Sequence, residues 1–174
     1  MKLKDLMSSR SRLVVHLHST KNYLTEIQCT DDKALLSLLD KAHKAAIKGI
    51  KKSIVQIEIM IEQIIQQHRG IYSNYQLIKS VPGVGHLTAV YIICCTNNFA
   101  SKISGKQLGS YTGVVPFANT SGTSIKGKNR VHKMANKELK KMLHLCALTA
   151  IKYYPEFRQY FDRKKRKVKM ECWY

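Results

Sequence analysis

The stretch Asn119-Thr120-Ser121-Gly122-Thr123-Ser124-Ile125-Lys126-Gly127-Lys128-Asn129-Arg130 sets small hydroxyl residues and two glycines against a run of cations. Glycine lets a backbone approach a ligand closely, and Lys and Arg neutralise phosphate. A serine presented there either binds a nucleic-acid backbone or attacks it. Attack on a phosphodiester needs an exposed nucleophile placed in line, cations to offset charge on the pentavalent state, and an acceptor for the proton. Ser121 and Ser124 are the candidate nucleophiles. Lys126, Lys128, Arg130 and Lys133 are the candidate charge stabilisers. For the proton, His132 is the near titratable base in sequence, and His86 and His144 lie farther off.

Metal-assisted hydrolysis is poorly served. A two-metal site needs several convergent carboxylates. Most of the eleven acids fall early, at positions such as Asp31, Asp32, Asp40, Glu58 and Glu62. Beyond Glu62 there remain Glu138, Glu156, Asp162 and Glu171, beside cations or in the tail. Their plainer role is surface solvation.

Electrostatics narrows the partner. The formal charge is +19 over 174 residues, and 15 of the 30 cations but 4 of the 11 acids lie from Ser121 onward. Such a field costs self-repulsion and has no use in an enzyme of small neutral substrates, so a polyanion is expected. Nucleic acid fits better than anionic membrane, because the basic residues do not alternate with Trp and Phe along one amphipathic face. A lysine-rich solubilising surface is the plainer alternative. No apolar run approaches a membrane span, and the basic N-terminus lacks a signal-peptide core. Cys29, Cys94, Cys95, Cys146 and Cys172 form no CxxC pair, which argues against both a disulfide framework and a zinc site. Reduced, buried thiols and a cytoplasmic protein are expected.

The elements that must position the serine loop read as helices. Leu3, Leu6, Leu13, Leu17, Leu24 and Ile27 lie on one seam with steps of three and four, interrupted by Arg10 and Thr20. Ile47, Ile50, Ile54, Ile57, Ile61 and Ile64 form a cleaner one. Each stripe must be buried against another helix. Thr30-Asp31-Asp32 supplies a cap between the two, and Gly70 is expected to end the second. Val55, Ile59 and Ile65 widen the apolar face, which predicts a helical hairpin whose second helix also meets a second copy of the chain.

Next, Tyr75, Leu77, Ile78 and Val81 lead into Pro82-Gly83-Val84-Gly85 and the apolar run Leu87 to Cys95. This is the pattern of a helix-hairpin-helix. The glycines permit a positive-φ turn, and amides at the second helix's N-terminus suit a phosphate without reading sequence. An ordinary helix–helix turn is the alternative. Between Ser101 and Pro116, Lys106, Leu108, Tyr111, Val114 and Val115 suggest one short helix and a buried turn. A further helix is predicted from about Met134 to Tyr154. Leu139, Met142, Leu143, Leu145, Cys146, Leu148, Thr149 and Ile151 make its buried face, and Lys133, Lys137, Lys140 and Lys141 its polar one. The basic block Arg163-Lys164-Lys165-Arg166-Lys167-Val168-Lys169 is expected to be disordered in isolation. The fold class is therefore all-α. A helical hairpin or coiled coil occupies 1–70, a compact helical domain with a helix-hairpin-helix element 71–160, and a basic tail 161–174.

Four ordered elements over residues 78 to 150 resemble one family. Ile78-Lys79-Ser80-Val81-Pro82-Gly83-Val84-Gly85-His86-Leu87-Thr88-Ala89 resembles the SIPGIGPLTA signature of the C-terminal transposase domain of the "IS one-ten" insertion sequences. Tyr111-Thr112-Gly113-Val114-Val115-Pro116 is similar to its YxGLxP element, and Ser121 to Lys128 to its SGxSxRGR loop. Val131 to Lys140 resembles its ISKxGNxxLR segment, with Ala135 where glycine is usual; that position should begin a helix, where a less flexible backbone is harmless.

The resemblance implies a transposase that recombines DNA under the guidance of a structured bridge RNA. An N-terminal RuvC-like domain would hold magnesium on a DEDD set of carboxylates, and the C-terminal domain would contribute a serine that links transiently to DNA. Carried over by position, Ser121 is the nucleophile and Ser124 the second choice. Gly83, Gly85, Lys126, Lys128, Arg130, Lys133, Lys137 and Lys140 are the nucleic-acid contacts. No RuvC-like half and no DEDD set occur in this chain, so the expectation is half of an enzyme, inactive alone, with no cofactor of its own. The implied partners are DNA, guide RNA and a second copy. The competing expectation is a truncated, non-catalytic nucleic-acid-binding module.

Overall fold

Both apolar seams are used as their spacing requires. In the computed structural model, which describes residues 2–28, 33–121 and 125–171, α1 (Lys2–Ile27) and α2 (Lys33–Gln67) pack as a hairpin. Side chains are described except at 118–121, 125, 126, 128, 129 and 167–171. The hairpin is antiparallel: Arg10 pairs with Glu58 (Nε–Oε1 2.7 Å), and the Tyr23 and His43 rings meet edge to face at 5.2 Å. Every seam residue from Leu3 to Ile27 and from Ile47 to Ile64 is buried or half-buried. Arg10, which interrupts the first seam, is tolerated there because Glu58 faces it. The predicted cap Thr30-Asp31-Asp32 lies outside the described residues.

Two sequence expectations for this region are corrected. Gly70 does not end the second helix: α2 stops at Gln67, and the His68 carbonyl accepts from Tyr72 N–H to open α3 (Arg69–Lys79), so Gly70 lies in the first turn of α3. Ile65 is buried (2% exposed), whereas Val55 and Ile59 are open. Of the three residues expected to widen the outer face, two do so.

The chain divides into two units, Met1–Tyr72 and Ser73–Tyr174. The second holds α4 (His86–Cys95), α5 (Gly105–Thr112), a β-hairpin of β1 (Phe117–Ser121) and β2 (Ile125–Arg130), α6 (Lys137–Tyr153) and α7 (Pro155–Glu171). Its core comprises Tyr75, Ala89, Val90, Ile92, Ile93, Leu139, Cys146 and Ala150, with Thr88, Thr96 and Thr112 as buried hydroxyls. Thr96 and Thr112 satisfy theirs on carbonyls one turn back, Ile92 and Gly109. The architecture is all-α, seven helices among the described residues, with one addition. The stretch read as a loop forms the antiparallel hairpin β1–β2.

Gly83 explains how α4 meets α6. Its φ is +84°, and a Cβ there would lie 2.4 Å from the Cys146 carbonyl oxygen and 3.1 Å from the Ala150 nitrogen. Only glycine both adopts that conformation cheaply and lets the turn touch the helix backbone. Gly85, expected to share the positive-φ turn, does not: it is the extended N-cap of α4 (φ −87°), with open space around it.

The ends of the other helices follow local chemistry. Ser104 and Gln107 form a capping box on α5. Asn136 caps α6, so the helix begins at Lys137 rather than Met134. Proline disfavours a helical predecessor, and Tyr154 is accordingly extended (φ −120°, ψ 113°), ending α6 as Pro155 opens α7. The basic block expected to be disordered lies within α7. Leu145 and Leu148 were placed on the buried face of α6 but are 54% and 49% exposed; Ala150 is buried instead. Val114 and Val115, read as a buried turn, are also open, and the buried residues there are Thr112 and Gly113.

Candidate nucleic-acid interface and nucleophile strand

The serine segment is built by strand pairing. β1 and β2 are in register at Asn119 with Gly127, Thr120 with Lys126, and Ser121 with Ile125; an irregularity lies between Phe117 and Asn119. Ser121 thus occupies the last position of β1, where the strand gives way to the connection. Ser124 falls in that connection, outside the described residues. Lys126, Lys128 and Arg130 occupy alternate positions of β2, and Arg130, opposite Phe117, is exposed. Lys133, Lys137 and Lys140 follow on the strand-to-helix connection and the first turns of α6, all exposed. The hairpin and the start of α6 are consecutive along the chain path.

That path is fixed by one polar knot. The Asn136 backbone N–H donates to the Tyr111 carbonyl (2.9 Å), and its side-chain Nδ2 donates to the Tyr111 hydroxyl (3.2 Å) and toward Cys95 Sγ (3.5 Å). Its Oδ1 accepts from Leu139 N–H (2.9 Å), which caps α6, and from the Tyr91 hydroxyl (3.4 Å). One amide side chain therefore ties α4, α5 and α6 together. Burial pushes the Tyr91 phenol above its ordinary pKa.

Gly113 completes the arrangement. It caps α5 in the left-handed region (φ +69°), and a Cβ on it would come within 2.6 Å of Val131 Cγ1 and 2.7 Å of the Ala135 Cβ. The segment after β2 is thus pressed against the end of α5. Ala135 precedes the cap of α6 rather than beginning the helix. It is absent from the positive-φ residues, so alanine stands there without backbone strain.

The proton acceptor suggested by sequence is compromised. His132 Nδ1 accepts from Met134 N–H (3.2 Å), which requires that nitrogen to be unprotonated and puts the neutral ring's proton on Nε2. In this arrangement His132 donates at Nε2 and has no lone pair to offer there. Nor do the described residues fit the magnesium that the resemblance implies: among them no three His, Cys, Asp or Glu side chains gather as a metal site.

At the α3–α4 turn the second candidate contact surface is smaller than the sequence suggests. Gly83 faces α6, which leaves Gly85 exposed, while His86 and Leu87 at the start of α4 are half-buried and Thr88 is buried. His86, the first residue of α4, is held by the Tyr75 hydroxyl on Nδ1 (2.7 Å). Its Nε2 is buried with no hydrogen-bond partner among the described residues. Lys79 sits over the Tyr75 ring, 5.7 Å from its centroid.

Sequence reasoning named Tyr111 and Asn136 only as members of separate motifs and did not join them. The available signal was the Asn before Lys137-Glu138, a helix N-cap pattern. Tyr91 carried no signal, since it sits in an otherwise apolar run. Among the described residues no helix is long and apolar enough to cross a membrane.

Comparison with known proteins agrees with these elements. The family model described as "Transposase IS116/IS110/IS902 family" matches residues 75–162. The pilin gene-inverting protein of Moraxella bovis is 29% identical over 124 residues, covering 71% of this chain and 38% of that protein. An insertion element IS110 43.6 kDa protein of Streptomyces coelicolor is 32% identical over 113 residues, 65% of this chain and 27% of its own length. An insertion element IS900 42 kDa protein of Mycobacterium paratuberculosis is 27% identical over 124 residues, 71% and 30% respectively. The chain thus spans between about a quarter and two fifths of the length of these relatives. The matched segment is the one that contains the Asn136 knot and the serine hairpin, and by it the chain belongs to the IS116/IS110/IS902 transposase family.

Proposed function

We propose that this chain binds DNA and supplies Ser121 as the nucleophile of strand exchange, acting with a carboxylate-bearing domain, guide RNA and a second copy of itself. What supports the reading is the position of Ser121 at the end of β1, beside a strand with cations at alternate positions and before a cluster of exposed lysines. The attacking oxygen would form a phosphoester with DNA and release a 3′ or 5′ hydroxyl, so the bond broken is kept in energy and strand exchange can reverse it. Cations on β2 and early α6 would offset the charge of the pentavalent state. His132 would serve as acceptor for the serine proton only after giving up the hydrogen bond from Met134 N–H to its Nδ1.

The second reading is a nucleic-acid-binding module without catalysis, which uses the same exposed cations Arg130, Lys133, Lys137 and Lys140. Incubating the chain with the remaining domains of a full-length relative, magnesium, guide RNA and labelled DNA separates the two. A protein–DNA adduct that survives denaturation and disappears in Ser121→Ala is expected. Absence of any adduct with a competent partner would leave the binding module, and an adduct lost only in Ser124→Ala moves the nucleophile to the second choice.

A further inference from the structure

Among the side chains described on α7, none is buried. Every side chain described from Tyr154 to Arg166 is exposed, although the helix runs 17 residues. A helix of that length is marginal in water without tertiary packing. Its exposed residues are also the wrong kind for a solvated face. Tyr154, Phe157, Tyr160 and Phe161 stand 42–53% exposed, and Phe157, Tyr160, Phe161 and Lys164 repeat at helical spacing on one side. Tyr154 meets Phe157 edge to face, with centroids 6.3 Å apart.

Cations surround this stripe. Arg163 and Lys164 lie over the Tyr160 ring at 5.3 and 5.7 Å from its centroid. Between Pro155 and Arg166 the sequence has five cations, Arg158, Arg163, Lys164, Lys165 and Arg166, against Glu156 and Asp162. A second copy docking through the same stripe would bring two such cationic faces together. A membrane-surface helix carries Trp, Phe and Leu on its apolar face, and this stripe has neither Trp nor Leu and is half tyrosine. A strand of unpaired bases satisfies both features, because each base has a π-face and each phosphate a charge, whereas a duplex hides its base faces inside the stack.

We propose that α7 is a stacking platform for the unpaired bases of single-stranded nucleic acid, with Tyr160 at its centre and Arg163, Lys164 and their neighbours on the phosphates. The platform lies apart from the serine hairpin and shares with the proposed function only the polyanionic class of partner.

Fluorescence anisotropy of the intact chain with an oligothymidylate, an oligouridylate and a mixed-sequence duplex, each of about twenty units, tests it. Tyr160→Leu keeps helix propensity and apolar bulk but removes the ring. It should weaken binding to the single strands about tenfold and leave the duplex within about twofold. Tyr160→Phe should bind as the parent does, and far-UV circular dichroism should be unchanged in both. A tighter complex with oligouridylate or with oligothymidylate assigns RNA or DNA to the platform. Parent-like binding by Tyr160→Leu overturns the proposal, as does an equal loss on the duplex. Displacement of the oligonucleotide by phosphatidylserine vesicles, or a change in oligomeric state on Tyr160→Leu, would assign the stripe to membrane or to self-association and likewise overturn it. Loss of the protein–DNA adduct in Ser121→Ala bears on the hairpin alone.

Discussion

Tyr111 and Asn136 are joined twice, backbone to backbone at 2.9 Å and amide to hydroxyl at 3.2 Å. The double link makes the C-terminal end of α5 and the N-terminal end of α6 one structural corner, and the serine hairpin is the chain between them. A hairpin of two short strands is not independently stable. Its placement therefore depends on how firmly its two ends are held, and that corner holds them.

Replacing Asn136 tests the corner. Asn136→Ala removes the cap of α6 and the donors to Tyr111 and Cys95, and should cost about 2 kcal/mol or somewhat more in urea unfolding. Asn136→Asp keeps the cap oxygen and adds a negative charge at a helix N-terminus, but it loses the amide donor. It should fall between parent and alanine. An aspartate variant as damaged as the alanine one would mean that the amide donors, not the cap, carry the stabilisation.

Tyr91 gives the corner an alkaline limit. Burial raises its folded pKa above the ordinary value of 10.0. At lower pH both states keep the proton and the residue adds no pH dependence. As pH climbs past about 10 the unfolded phenol ionises first, the folded state binds more protons, and stability declines. Tyr91→Phe cannot ionise. The stability of the parent minus that of Tyr91→Phe should therefore decrease between about pH 9 and pH 11, measured by denaturant unfolding. A constant difference would mean that Tyr91 titrates alike in both states.

The helical seams were legible because their spacing is a direct image of packing: each residue from Ile47 to Ile64 sits where a 3-4 repeat puts it. The glycine turn before α4 was legible too, though not which glycine does what, since the contact of Gly83 with Cys146 lies 63 positions away in sequence. The β-hairpin was hidden. Asn119 to Arg130 has no alternation of apolar and polar residues, which is the usual sign of a strand. Leu145 and Leu148 misled for a different reason: helical periodicity marks a stripe that wants cover without saying what covers it. At the site, the types and order of Ser121, Lys126 and Arg130 were readable, but the occupied Nδ1 of His132 depends on a backbone N–H that no pattern of side chains announces.

Gly83 and Gly85 should respond in opposite ways. Gly83→Ala puts a Cβ 2.4 Å from a carbonyl oxygen at φ +84°, combining left-handed strain with overpacking, so about 2–4 kcal/mol should be lost. Gly85→Ser meets nothing within 4 Å and installs a side-chain cap where α4 has none. It should leave stability unchanged or raise it by up to about 1 kcal/mol. Thermal unfolding of the two variants side by side distinguishes a packing glycine from a merely permissive one.

The exposed Val55 and Ile59, one helical turn apart on α2, should matter to association and little to folding. If a second copy covers them, the parent scatters light as a dimer at micromolar concentration. Val55→Lys combined with Ile59→Lys should then give a monomer with undiminished helical circular dichroism. A parent that is monomeric under the same conditions removes the dimer from the proposal.

Arg130 is the cation of β2 whose side chain is described; it is paired opposite Phe117, at the other end of the hairpin from Ser121, and is exposed. If it neutralises one DNA phosphate, Arg130→Gln should weaken duplex binding uniformly across sequences. It should also lower the magnitude of the slope of log affinity against log salt by about 1, the signature of one fewer released counterion. Gln is shorter but keeps a polar, hydrogen-bonding end without the charge, so the change in salt slope reads the charge. Lys152 serves as the comparison: it sits over the Tyr153 ring near the far end of α6. Lys152→Gln should leave the slope within error of the parent. Equal changes at both positions would mean that the net charge of the chain, rather than the hairpin, governs binding.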